Sequence, residues 1–314
     1  MTLLVIDIGG SAIKYGLWEN KELHHTDEVP TPLTRGSFYD QLQEIKEKFT
    51  KEKTLKGVAI SSPGDVDEES GSVNGVSFVP FLHLGPIIPQ MEQQLNLPIS
   101  MMNDADCAAL AELRMGVAKN ADNPLFLIIG SGLGIAFAKD GQVVSPTDAK
   151  QPELKDLVAR SIKNLNNSNV SPVQIGRRVS LKKFKLPSSI DGKDVFKLAE
   201  VDDPIAKKEV NKLYQSLAEV LLSLNLSYHP EFIALGGGVS QQEGFLENIQ
   251  QALAETIDNQ AGIAEWFKNF FTSSDKKESL QKEDFPIVKI CQFKNQANLI
   301  GAALHFEEKY PEKA

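Results

Sequence analysis

The sequence has little cysteine. Of its 314 residues only Cys107 and Cys291 carry thiols, and neither sits in a C-x-x-C spacing that would mark a metal site. So few thiols in so long a chain point to a reducing compartment. Positive charge is also short: 33 Lys and Arg against 42 Asp and Glu leave a net charge of −9. That balance argues against gripping a nucleic-acid backbone, which needs clustered basic side chains. The local exception, RRVSLKKFK (177–185), reads as a solvated face or loop. Long apolar runs are missing too. The longest, PLFLIIGSGLGIAFA (124–138), is too short and too glycine-rich to span a bilayer. The first residues lack the basic start and long apolar core of a signal peptide. The expectation is a cytoplasmic protein with no nucleic-acid or membrane partner. Two nucleotide signatures are absent as well: no G-x-x-x-x-G-K-[ST] occurs, and no G-x-G-x-x-G opens a helix after the first strand.

What is present is an ordinary globular composition, 41% hydrophobic and 24% charged, long enough for two domains that each bury a core. Its most informative feature is a weak internal repeat. LLVIDIGGSAIKYGLWENKEL (3–23) and LFLIIGSGLGIAFAKDGQVV (125–144) share an apolar strand, a Gly/Ser turn, an alternating strand and a polar turn. Two such hairpins about 120 residues apart suggest a duplicated α/β domain. Further strands are expected at 55–61, 97–102, EFIALGGGVS and IVKIC. Helices are expected at 86–96, 104–116 and 245–256 and along NQANLIGAALHF. In IAKKEVNKLYQSLAEVLLSLNLS, residues Val210, Leu213, Leu217, Val220, Leu221 and Leu224 make one helical stripe. A charged insertion covers about 262–285. Strands and helices alternate, so the class is α/β.

Ligands of such folds gather at the carboxyl ends of strands. Asp7-Gly9-Gly10, Ser62-Pro63-Gly64, Asn103-Asp104, Gly130-Ser131-Gly132 and Gly236-Gly237-Gly238 all fall there. Each glycine turn has two readings: a tight turn needing positive φ, or a backbone cradle that admits phosphate oxygens because no Cβ intervenes. Asp7, a lone charge at a buried strand end, could hold Mg²⁺ directly or through its waters. Lys14 could reach the same phosphates or simply occupy an exposed strand face. Asn103-Asp104 fits a helix N-cap, which the local pattern favours, and also a kinase base that accepts a hydroxyl proton.

Six fragments in order resemble the ROK family (repressors, open reading frames, sugar kinases) of the actin-like ATPase superfamily. D-I-G-G-S-x-x-K-x-G (7–16) and G-S-G-L-G-I-A (130–136) resemble its phosphate motifs. S-S-P-G-D-V-D (61–67) with G-S-V (71–73) resembles its sugar-side loop, and N-D-A-D-C-A-A-L-A-E (103–112) its catalytic stretch. A-L-G-G-G-V-S (234–240) resembles the adenosine motif, and A-N-L-I-G-A-A (297–303) the closing helix. The resemblance implies two actin-like (ribonuclease H-like) lobes with mixed sheets flanked by helices, closing on Mg-ATP with a hexose between them. Residues 1–116 plus 297–314 would form the sugar-side lobe, and 117–296 the nucleotide lobe. By matched positions Asp104 takes the proton of the sugar's primary hydroxyl, and Asn103, Gly64 and Ser77 contact sugar. Gly9, Gly10, Ser11, Lys14, Gly130, Ser131, Gly132, Gly236, Gly237 and Gly238 receive the nucleotide, and Asp7 anchors Mg²⁺.

One region departs from the family pattern. Where ROK kinases usually carry Ala-Gly-Glu-x-Gly-His and then a Cys-rich zinc loop, SPTDAKQPELKDLVARSIKNLNN (145–167) has no glycine, histidine or cysteine. No zinc is therefore expected. Glu153, twelve positions past Gly141, matches the family's sugar-binding glutamate by spacing though not by its flanks. The expectation is an ATP-dependent kinase for a hexose, N-acetylhexosamine or glucoside; the alternative is a sugar- or nucleotide-binding regulator that has lost catalysis. The family's DNA-binding repressors carry an added N-terminal helix-turn-helix, whereas this chain opens on a strand. Relatives are often dimers, so a homodimer is the assembly the resemblance allows.

Overall fold

A computed structural model describes residues 2–51, 53–130, 132–144, 156–157, 159, 161, 171–187, 189–258 and 285–313. Ser131, Glu153, nearly all of the divergent 145–167 segment and the charged insertion lie outside the described residues. Two compact units are present: 1–120 with 141–145 and 295–314, and 121–140 with 146–294.

The first unit contains, in chain order, β1 (Thr2–Ile8), β2 (Ala12–Glu19), β3 (Glu22–Pro30), α1 (Arg35–Thr50), β4 (Val58–Ser62), β5 (Asp65–Asp67), β6 (Ser72–Asn74), α2 (Ile88–Leu95), β7 (Ile99–Asn103) and α3 (Asp104–Met115). Its main sheet runs β3-β2-β1-β4-β7. β1, β2 and β3 form an antiparallel meander, and β4 and β7 extend it in parallel with β1. That mixture is the ribonuclease H-like sheet. Leu4, Ile6 and Ile8 of β1 face a core closed by α1 and α2. α1 meets it with Phe38, Leu42, Ile45 and Phe49, one helical stripe. Fully burying each such side chain contributes roughly 1.5–3 kcal/mol. Thr34 starts the helix by accepting the Ser37 N–H on its side chain.

The closing helix, Ala297–Lys309 in this unit, packs against α3 at backbone distance. A Cβ on Gly301 would lie 1.8 Å from the Cys107 carbonyl oxygen, so only glycine fits. Glu68 clamps this helix from the loop after β5, meeting His305 Nε2 at 3.2 Å and Lys309 Nζ at 2.8 Å. It also accepts the Met101 N–H. Burial alone would raise its carboxyl, but His305, Lys309 and that N–H hold it at about 2.

The second unit contains β8 (Leu125–Ile129) and β9 (Leu133–Lys139), then, beyond the short strand β10 (Gln142–Val144) of the first unit, α4 (Pro172–Lys182), α5 (Gly192–Glu200), α6 (Pro204–Tyr228), β11 (Ile233–Gly236), α7 (Phe245–Asp258) and β12 (Val288–Ile290). Its strands run β9-β8-β11-β12: an antiparallel hairpin extended by two parallel strands, as in the first unit. The helix Ala297–Lys309 is therefore α8. Every member of the expected α6 stripe, Val210 through Leu224, is buried. The basic stretch 177–185 is mostly helix rather than loop. Val179 and Ser180 of α4 are buried, while Arg178 and Lys182 both pair with the buried Glu209 of α6, at 2.6 and 2.5 Å. Two of its basic groups thus neutralise a carboxylate inside their own unit.

Candidate active site

Pairing across the first sheet sets Glu28, Lys14, Asp7 and Ser61 in one row over four strands. Ser61 Oγ donates to Asp7 Oδ1 at 2.8 Å, and Asn298 Nδ2 of α8 donates to the same oxygen at 3.0 Å. The carboxylate is thus aimed by two donors on one oxygen, and Oδ2 receives no hydrogen bond among the described residues. Lys14, half-buried beside it, forms no ion pair among them either.

The turn after β1 is tight. The Gly9 N–H reaches the Ala12 carbonyl at 3.0 Å, and Thr31 Oγ1 donates to the Gly9 carbonyl at 2.6 Å. The Thr31 N–H closes on the Ser11 carbonyl. Neither Gly9 nor Gly10 has positive φ. Close approach is what excludes side chains there: a Cβ on Gly9 would sit 2.7 Å from the Ala12 oxygen, and one on Gly10 2.7 Å from Phe78 Cβ.

In the second unit the turns after β8 and β11 meet, since Gly236 pairs with Ile128 and a Cβ on Gly237 would lie 2.3 Å from the Ile129 oxygen. Gly237 alone among these glycines takes a positive φ, +87°. Gly132 and Gly238 differ. Neither has positive φ, and nothing lies within 4 Å of a Cβ built on either. Nothing in the described fold requires glycine at these two positions. An incoming group that approaches the backbone would require it.

Asn103 and Asp104 divide two tasks. Asn103 is the N-cap of α3, its Oδ1 accepting from the Ala105 N–H at 2.9 Å and the Asp106 N–H at 3.3 Å. Its Nδ2 donates to the Gly64 carbonyl at 2.8 Å. Gly64 needs its glycine, with φ +101° and a Cβ position 2.8 Å from Val73. Because Asn103 does the capping, Asp104 is the first residue of the helix proper, half-buried, with one oxygen on the Ala105 N–H. Burial, and then the charge of Asp7, push its carboxyl up to about 6. Ser77 Oγ meets His83 Nε2 at 2.8 Å, and His83 Cε1 lies 3.0 Å from the Cβ position of Gly64.

The first unit thus links the expected Asp7, Gly64, Ser77, Asn103 and Asp104 through contacts or charge. The second brings its two glycine turns together. Four participants escaped the sequence reading: Ser61, Thr31, Asn298 and Asp106. Ser61, Asp106 and Asn298 lie inside quoted motifs, so the signal was there. Asp106 is buried, and its Oδ1 has no hydrogen-bond partner among the described residues. Burial, then Asp104 and Asp65, push its carboxyl up to about 7.

Sheet order and strand-end chemistry together define an actin-like α/β protein. The profile of the ROK family matches residues 3–153 and 169–308, and the chain belongs to that family. A β-glucoside kinase of Listeria innocua is 25% identical over 98% of this chain and 97% of its own. The crystal structure of a ROK family protein from Streptococcus pneumoniae TIGR4 in complex with sucrose has the same fold, with TM-score 0.73, 22% identity and coverage of 99% and 100%. So does a ROK family glucokinase from Streptomyces griseus in complex with glucose and AMPPNP, with TM-score 0.66, 20% identity and coverage of 96% and 98%.

Proposed function

We propose that the protein is an ATP-dependent sugar kinase that phosphorylates a primary hydroxyl of a hexose, an N-acetylhexosamine or a glucoside. The observation that carries this reading is Asp104: a carboxylate released from capping by Asn103, held at a strand end, with its pKa raised to about 6. Such a group is ionised at neutral pH yet basic enough to take a hydroxyl proton. As that proton moves to Asp104, the sugar oxygen forms a bond to the γ-phosphorus and the bond to the ADP oxygen breaks. Sugar phosphate and ADP leave, and the proton passes on to solvent. Asn103 and the Gly64 loop orient the acceptor, with Ser77 beside them.

In this reading the glycine turns at 9–10, 130–132 and 236–238 receive the phosphates through N–H groups other than those of Gly9 and Gly130, which are spent on the Ala12 and Gly132 carbonyls, and Lys14 adds a positive charge. Most of the rate gain in such a transfer comes from positioning and charge neutralisation. Mg²⁺, when bound with the nucleotide, would neutralise phosphate charge. Asp7 suits it, because one oxygen is fixed by Ser61 and Asn298 while Oδ2 has no partner among the described residues. In this reading the first unit supplies the sugar-side groups and the second the nucleotide side, with Glu153 as a further sugar ligand and no zinc. We place the enzyme in the cytoplasm, acting on small molecules as a monomer or homodimer. No helix among the described residues is long and apolar enough to cross a membrane. The reading is tested by coupled ADP release over a panel of monosaccharides and β-glucosides. At least one sugar is expected to raise ADP release well above the sugar-free rate; a flat panel leaves only a binding protein.

A further inference from the structure

Ser77 and His83 are joined by a contact that the proton transfer and the phosphate cradle do not use. His83 Nδ1 lies 3.1 Å from the Val73 carbonyl oxygen, and Nε2 lies 2.8 Å from Ser77 Oγ. A carbonyl only accepts, so Nδ1 carries the ring proton. In the neutral imidazole Nε2 is then the acceptor. The one proton of the Ser77 hydroxyl goes to it at 2.8 Å in preference to the Val79 carbonyl oxygen, which lies at 3.5 Å. The Val79 N–H takes one lone pair of the same oxygen at 3.2 Å. What Ser77 has left is a single lone pair, which can accept but cannot donate. The ring is also wedged in place, because its Cε1 stands 3.0 Å from the Cβ position of Gly64, whose carbonyl holds the Asn103 amide. One imidazole therefore couples Ser77 to the loop placed on the sugar side.

We infer that His83 is a positioning residue that makes Ser77 an acceptor-only reader of one sugar hydroxyl, so that the substrate must carry a free, donating hydroxyl at that carbon. The inference rests on the sugar-kinase reading. It has a sharp chemical consequence. Fluorine can accept weakly but cannot donate, so at the carbon read by Ser77 a deoxyfluoro sugar fares as badly as the deoxy sugar. A polar site deprived of its partner rejects such an analogue strongly.

The test uses the full-length enzyme, its preferred sugar, and the monodeoxy and deoxyfluoro analogues of that sugar. In the parent enzyme, both analogues at one carbon should raise KM by about tenfold or more. His83→Leu should raise KM for the intact sugar by about tenfold, because the freed hydroxyl rotates away, while kcat and the KM for ATP stay within about twofold. His83→Gln, whose amide oxygen can accept from Ser77, should recover part of that loss. Ser77→Ala should erase the discrimination at that carbon, and it carries the test alone should His83→Leu fail to fold. A parent enzyme that turns over sugar while His83→Leu or Ser77→Ala keeps its KM and its discrimination overturns the inference alone. A parent enzyme that neither binds nor phosphorylates any sugar overturns the kinase reading, and this inference with it.

Discussion

At the scale of single residues, the α3 start shows how a local pattern with two readings is resolved. Asn and Asp are both good caps, and adjacent in sequence they compete for one position. Here Asn103 takes the cap with its carbonyl oxygen and spends its amide on Gly64. Asp104 is left without the capping task, which is what the proposed role as base requires. Its pKa of about 6 fixes the sign of the pH dependence: a base must be ionised, so kcat/KM should fall tenfold per unit as pH drops below about 6 and stay level above it. A pH–rate profile level down to pH 4.5 contradicts that assignment. Asp106 makes a separate prediction. Its folded pKa of about 7 lies above the ordinary 3.8, so the native state holds a proton that the unfolded chain releases between those values. Stability is lost as pH rises through that window. Asp106→Asn removes the penalty, and its gain in Tm over the parent should be larger at pH 8 than at pH 5. An equal gain at both would show that the carboxyl is not strained.

At the scale of elements, the parts most legible in the sequence were those ending in glycine. β1, β4, β8 and β11 each stop at a glycine-bearing turn, β7 runs directly into the Asn103 cap of α3, and the α6 stripe is a plain 3.6-residue period. β3 was not legible. Its residues Glu22–Pro30 are largely exposed on an outer strand and carry no apolar alternation to betray them. α1 does show a stripe, but its one glycine, Gly36, sits inside the first turn rather than beyond an end, and none follows Thr50. The α4 segment is largely the solvated face expected, but its pairing with Glu209 was not legible, because that residue is 31 positions away from Arg178. The joint between α3 and α8 is equally non-local, because Gly301 gives no sign that a carbonyl from Cys107 will lie against it. Gly301→Ala should force the two helices apart and cost about 1–3 kcal/mol, read as a fall in Tm. An unchanged Tm would mean that the helices do not approach as described.

At the scale of the whole molecule, duplication is the organising fact. Each unit builds the same hairpin-plus-parallel-strands sheet, and in each the candidate site residues fall at strand ends. The first carries the carboxylates and amides, the second the open glycines Gly132 and Gly238. The fold class and the glycine turns were readable because close approach and positive φ are backbone requirements printed in sequence. The partners that orient Asp7 were not, because Ser61 and Asn298 lie 54 and 291 positions away; the hydrogen bond between Ser77 and His83 spans only six positions, but through an irregular turn with no periodic signature. In the proposed reaction Asp104 takes the proton of the attacking hydroxyl. The most direct test of that step compares Asp104→Asn with the parent, measuring sugar-phosphate formation and, separately, nucleotide affinity. Formation should fall by about 10²–10⁴-fold, the worth of a positioned base, with ATP affinity nearly unchanged; equal rates in the two proteins would contradict the account.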